Sequence, residues 1–518
     1  METRIESELL LDDKGNLIGE GIVKMKFIHT VKGTELIGIL EKCVNGSVEK
    51  LKESMSPYER TSLFETWLYF VRQIEEFINI QYEYGKVFEK YFSHIHLDDE
   101  KYMRPVTSVV AESFGDEVAV RFQNLAKLFT GFPLYNFVDG KLEEHPIVTI
   151  ADLMQYLKAR RLHIMTILNL IPIYAQGDTP FRKEDINCKI KEWTEVLMNI
   201  TGGCQAIIEA KCLPGFYAKV NAGGLEFCQQ YTHLDRDFLE PQLMTPVELE
   251  QYRCDRLKER ETKKLRSICS KEEYDIILRN ETAYNESYGI TEINEYKELM
   301  AFMNEMRTFF KEDYYTIEVP EGDFDRLHKT FGELELYKEM EDLDDIENSR
   351  YVFVKMDGVY YSTYFMLIRY CINTVMKMLR KKKKYQIDAG YVFEDQVKTL
   401  AGRYGFEVQK DCKRIERKEF DVVCVKGGTI YNFQCKNNYM NVSYIGLKET
   451  AATYRKNKQL ISYYKSALRK EERREKLLTK KLGIDKVKHF VISRYPVMTD
   501  NERIIPFNRL AEWMENEN

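Results

Sequence analysis

The 518 residues hold no apolar run long enough to cross a bilayer, which excludes a transmembrane helix and a membrane partner. Eleven cysteines are present, but the number is odd and no two form a C-x-x-C pair. That pattern argues against a disulfide frame or a zinc site and for reduced thiols in a cytoplasmic protein. The opening "METRIESELLLDDKGN" is acidic and lacks the basic-then-apolar pattern of an export signal. No H-E-x-x-H, G-x-x-x-x-G-K-[ST] or G-x-G-x-x-G occurs, so neither a built-in NTPase nor a dinucleotide site is supported. The glycine pairs in "TGGCQ" and "NAGGLEF" read as turns. No repeat of fixed period marks a solenoid.

What is present fits a globular chain of two to four domains, with 44% hydrophobic and 31% charged residues. The net charge of −6 is unevenly spread. From Gln386 to Asn518 there are 26 Lys+Arg against 18 Asp+Glu, or +8. Residues 1–385 hold 51 against 65, or −14. A basic segment on an acidic chain fits a module that faces a polyanion, or a solvated charge excess with no partner.

Three regions are expected. Residues 1–45 read as a small β element with a hairpin-like turn at Asp13-Lys14-Gly15-Asn16. Residues 46–385 read as mainly helical. Ser56-Pro57-Tyr58-Glu59 carries a helix-start signature, and Leu63, Trp67, Phe70, Val71, Ile74, Phe77 and Ile78 follow at helical spacing. Further starts stand at Thr149…Asp152, Thr245-Pro246 and Ser270…Glu273, and a helix is expected from Glu292 to about Phe310. A hairpin turning at Asp357-Gly358 is expected near 351–362. The acidic run 339–347 reads as a linker, and His94-Ile95-His96 as a loop, with metal binding the alternative for each. The basic run from Arg380 to Lys384 marks the boundary of a third region, 386–518, where the pattern turns to mixed α/β.

Within that region, "EFDVVCVKGGTIYNFQCKNN" (419–438) sets two apolar runs around Gly427-Gly428. A two-residue hairpin loop there pairs Lys426 with Thr429, Asp421 with Gln434 and Glu419 with Lys436. Strand alternation then places Asp421, Gln434, Lys436 and Glu419 on one face, and Phe420, Val422, Phe433 and Cys435 on the other. A carboxylate and an amide oxygen side by side suit Mg²⁺, and a lysine beside them can oppose charge on a phosphorane-like transition state. A plain surface face with a Glu419–Lys436 ion pair is the alternative.

The helix "GYVFE" (390–394), a strand bearing Asp421 and then "FQCK" (433–436) together resemble the PD-(D/E)XK nuclease superfamily, and within it Mrr-type restriction endonucleases. The likeness covers roughly Ala389 to Val497. It implies a C-terminal α/β restriction-endonuclease-like domain, which with the mostly helical pattern of the N-terminal region makes an α+β multidomain protein the expectation. It also implies hydrolysis of phosphodiester bonds with Mg²⁺ or Mn²⁺. Carried over, Asp421 is the central metal ligand and Gln434 fills the (D/E) position. The Cys435 backbone carbonyl is a further ligand, Lys436 the catalytic lysine and Glu394 the helix carboxylate. DNA is the favoured substrate and defence against foreign DNA the role by family analogy. Lys413, Arg414, Arg417 and Lys418 are expected at the rim of the site. Arg455 and Lys456, in a helix that interleaves tyrosines with basic residues, are expected to meet nucleic acid. The alternatives are an RNA-cleaving nuclease, or a nucleic-acid-binding or scaffold protein with an inactive nuclease fold. The acidic N-terminal region is expected to select substrate, sense a signal, form oligomers or meet a partner protein.

Overall fold

The computed structural model describes residues 29–84, 90–138, 141–221, 224–228, 268–345, 352–438, 446–495 and 497–517. The hairpin expected at 13–16 and the helix expected after Thr245 lie outside them. The chain divides into two compact units. One joins Val44–Thr201 with Leu239–Lys381, the other Met1–Cys43 and Gly202–Phe238 with Lys382–Asn518.

The first unit is largely helical. The periodic apolar residues from Leu63 to Ile78 are all buried, on a helix spanning Arg60–Tyr84. That helix starts later than the Ser56–Glu59 signature indicates. Tyr58 and Glu59 instead form bridges with Thr179 and Gly177, so these residues are extended. Thr149 and Asp152 close the expected capping box on Ile150–Tyr174, and Ser270 caps Lys271–Glu286. The Asp357-Gly358 hairpin forms, with both residues at positive φ. Buried arginines meet buried carboxylates here. Arg369 pairs with Glu75 at 2.6 Å, and Arg121 with Glu76 at 2.6 Å. Removing one partner of such a pair strands the other charge.

The second unit departs from the expected boundaries. Residues from Gly33 onward are helical rather than β, in Gly33–Met55. His29–Lys32 does form a strand, but it pairs with Tyr217–Asn221, far along the chain. Cys212 in turn accepts a hydrogen bond from Asn457. The first contact joins two distant stretches and the second ties Cys212 to the C-terminal region, and no local pattern announces either.

The C-terminal part of this unit carries the mixed sheet. Its elements are α1 (Lys383–Arg403), β1 (Glu407–Val408), β2 (Arg414–Ile415), β3 (Lys418–Glu419), β4 (Val422–Lys426), β5 (Thr429–Lys436), α2 (Leu447–Glu472), α3 (Glu475–Leu482), β6 (Val487–Ser493), β7 (Ile504–Pro506) and α4 (Leu510–Asn516). The sheet order is β7-β6-β5-β4-β1. β4 is antiparallel to β1 and β5, while β5, β6 and β7 run parallel. The helices of the long basic stretch, α2 and α3, carry the chain from β5 to its parallel neighbour β6. β7 was not expected from sequence. It is three residues long and ends at a proline on the sheet edge, where a missing N–H costs no ladder bond.

Side chains alternate across β5 into two cores. Tyr431 and Phe433 join Val422, Cys424, Phe490 and Met514 on the face covered by Phe393 and Val397 of α1. Ile430 joins Val423, Cys412 and Leu478 on the other. Phe433 is fully buried, with ring centroids 5.9 Å from Phe490 and 6.0 Å from Trp513. Phe433→Ala should therefore destabilise this unit by about 3–5 kcal/mol, read as a lowered midpoint in urea unfolding. A change of no more than a few tenths of a kcal/mol would contradict the packing described.

Candidate active site

Gly427 and Gly428 adopt φ of 54° and 69°, the backbone of a type I′ turn. The β4–β5 ladder runs from Lys426↔Thr429 to Val422↔Phe433. One step further lies Asp421 opposite Gln434, and the two side chains meet, Gln434 Nε2 donating to Asp421 Oδ2. The Cys435 N–H donates to the same oxygen at 2.9 Å. So the backbone group of Cys435 that meets Asp421 is its amide.

Beyond Asp421 the expected register ends. Glu419, placed by sequence opposite Lys436, pairs with Arg414 in a separate ribbon of β2 and β3. Phe420, placed on the face of Val422, packs instead with Val423, Cys412 and Ile430. The reason is a change of hydrogen-bond partner. The Phe420 N–H donates to the Lys413 carbonyl at 3.1 Å, so the chain leaves the sheet at Asp421 and alternation stops there. The ribbon turns at Glu416 and Arg417, both at positive φ. Arg474 holds it by donating to the Glu419 carbonyl at 2.9 Å.

Glu394 approaches from α1. Its neighbour Phe393 is in the core, and Glu394 itself is buried. Lys413 donates to Glu394 Oε2. Lys413 thus belongs inside the site rather than on its rim. Arg414, Arg417 and Lys418 remain exposed on the ribbon that leads into Asp421. Arg455 and Lys456 lie on the exposed side of α2. Lys436 ends β5, where its Nζ stands 5.4 Å from the Tyr463 ring centre. The Arg494 N–H fixes this strand end by donating to the Lys436 carbonyl at 2.9 Å.

One carboxylate was missed from sequence. Glu471 of α2 is almost fully buried beneath the sheet face that carries Gln434. It accepts from Asn432 Nδ2 at 3.2 Å and pairs with Arg474 at 3.3 Å. Asn432 also meets His489, whose other ring nitrogen lies 3.1 Å from Glu475. The signal existed, because Thr453, Asn457, Leu460, Tyr464, Leu468 and Glu471 recur at helical spacing on one buried face. A run reading "KEERREK" conceals it.

The electrostatics follow from burial. Desolvation pushes the Asp421 carboxyl above the ordinary aspartate range, and Glu471 adds to this. Lys436, the Cys435 N–H and Lys413 only partly offset it. Desolvation likewise raises Glu394, and Asp421 pushes it the same way against Lys413. Burial opposes the charge on Lys413, but its bond to Glu394 outweighs that and holds its pKa up.

Two carboxylates whose charged forms are disfavoured would be relieved by a cation. Asp421, Glu394 and the Gln434 amide are hard oxygen donors of the kind Mg²⁺ takes while keeping several waters. A half-turn of the Gln434 amide presents Oε1 in place of Nε2. Among the described residues, no group of three or more His, Cys, Asp or Glu could hold a metal by itself. The donor set therefore fits a cation bound largely through water, not a closed protein cage. Neither His94 and His96 nor the acidic run 339–345 forms such a group, and Asp342 is engaged by Tyr174 and Lys52.

No family model, no curated protein and no solved structure matches this chain.

A raised carboxyl pKa in the folded state means that ionising the group weakens the fold. That cost is absent below the unfolded aspartate value of about 4 and grows as pH rises through the folded value. Asp421→Asn should accordingly raise the thermal midpoint at about pH 7, with the gain vanishing toward about pH 4. A gain of equal size at both pH values would show that the charge is not its source.

Proposed function

We propose that residues 382–518 form a restriction-endonuclease-like nuclease domain that hydrolyses phosphodiester bonds with Mg²⁺, acting on DNA. The observation that carries this reading is one constellation. Asp421 and Gln434 touch at the open end of two paired strands, Lys436 follows two residues on, and Glu394 arrives from the preceding helix. The mixed sheet with helices on both faces is consistent with the fold that the sequence resembles.

In this mechanism Asp421 and Glu394 would hold the cation, with Gln434 and the Cys435 carbonyl beside them. Mg²⁺ bound there would make a water more acidic and draw charge from the phosphate. Lys436 orients the attacking water and opposes the charge that builds on the non-bridging oxygens. Lys413 holds Glu394 in place and offsets part of the cost of its charge. The water oxygen bonds to phosphorus and loses its proton to solvent, the bond to the leaving oxygen breaks, and that oxygen takes up a proton from solvent. The exposed cations of the β2–β3 ribbon would neutralise neighbouring phosphates without reading sequence. A role in defence against foreign DNA rests on the family analogy alone.

A second reading is a nucleic-acid-binding protein with an inactive nuclease fold. It is favoured by the neutral Gln434 at a ligand position and by Lys413 occupying Glu394. Neither carboxylate is then held ready for a metal.

Incubating the whole protein with plasmid, single-stranded DNA and RNA in Mg²⁺ or Mn²⁺ separates these readings. Asp421→Ala and Lys436→Ala should each cut the cleavage rate by about 100-fold or more. Cleavage unchanged in both variants would sink the proposed site. Absence of cleavage with every metal and substrate would favour the binding reading.

A further inference from the structure

Eight large apolar side chains are exposed among the described residues, and those in the second unit are Ile387, Tyr391 and Tyr463. The two tyrosines each adjoin a lysine of the candidate site. Tyr391 stands one helical turn before Glu394 on α1, with Ile387 one turn further back on the same face. Tyr463 is on α2. Their rings are 47% and 50% exposed, although the neighbouring Tyr464 is fully buried. A single exposed ring is ordinary, so what matters is what each of these two stands beside.

Each ring is paired with a lysine of the site. Lys413 Nζ lies 5.0 Å from the centre of the Tyr391 ring, and Lys436 Nζ 5.4 Å from that of Tyr463. Contacts run without a break from Tyr391 through Lys413 to Glu394, and separately from Asp421 to Gln434. The Lys436 charge acts on Asp421. The two tyrosines are therefore delivered by helices on opposite faces of the sheet, each beside a lysine of the site. Exposed cations extend each platform. Lys456 and Arg455 lie two turns before Tyr463 on its own face, and Lys384 lies two turns before Tyr391.

We propose that the site takes single-stranded or unpaired nucleic acid, with a base stacked on Tyr391 and another on Tyr463 and the phosphate between them held by Lys413 and Lys436. Alternating aromatic faces and cations suit a single strand, whose bases are free to stack and whose backbone carries the charge. In a duplex the bases stack on one another and offer no face to a tyrosine. This inference rests on the nuclease reading for the position of the scissile phosphate, but binding itself needs no cleavage.

The test is equilibrium binding by fluorescence anisotropy of the full chain in EDTA, where cleavage does not intervene. The probes are labelled oligo(dT) and oligo(rU) of about 12 nucleotides and a duplex of the same length. The expected result is binding of a single strand on the order of tenfold tighter than the duplex. Tyr391→Ala and Tyr463→Ala should each weaken it by about tenfold, while Tyr391→Phe and Tyr463→Phe preserve it. The two oligomers show whether DNA or RNA is preferred. Equal or tighter duplex binding, no binding of either single strand, or alanine variants that bind as the parent does would overturn the proposal. Single-strand binding without any metal-dependent cleavage would keep this inference and remove the nuclease reading. Metal-dependent cutting of duplex with no single-strand preference would do the reverse.

Discussion

The two-glycine turn at Gly427-Gly428 is the constraint on which the candidate site depends. Both residues sit where a Cβ is disfavoured, which permits a loop of two residues and no more. Loop length sets the register, and side chains alternate with a period of two. A slip by one residue would turn Gln434 into the aromatic core and bring Phe433 to the site. The aromatic packing around Phe433 enforces the same register from the other face. The turn and the core thus specify one arrangement twice.

Burial then gives that arrangement its chemical character. Asp421 sits between a hydrogen-bonding amide, a backbone N–H and two lysines, yet desolvation still dominates its proton affinity. A carboxylate held like this stores a cost that a bound cation or a proton relieves. Glu394 shares the condition from the facing helix. Glu471, below the sheet, adds a third negative group that acts on Asp421 without touching it. Carboxylates at the floor of the site thus stand beside the lysines Lys413 and Lys436.

Much of this was legible beforehand. The helix around Phe393, the hairpin and the contact of Asp421 with Gln434 all follow from local periodicity and turn chemistry. The buried face of Arg60–Tyr84 was equally plain. Glu419 and Phe420 were misplaced because a strand was extended past the point where its hydrogen bonds change partner. Lys413 was assigned to the rim because its ion pair is formed with a residue 19 positions away. Glu471 was overlooked because charged neighbours mask one buried position in a helix.

The sequence by itself determined most of the long helices and the sharp turns at Asp357-Gly358 and Gly427-Gly428. It also determined that Gln434 lies opposite Asp421. These depend on interactions between near neighbours, whose geometry is nearly independent of the rest of the chain. Only the tertiary structure decided that Cys212 meets Asn457, that Lys413 engages Glu394, and that Tyr391 and Tyr463 stay exposed, each beside a lysine of the site. Those outcomes depend on which surfaces remain uncovered after distant elements pack. Hydrophobic burial is non-directional, so a local pattern selects a buried face without naming its partner.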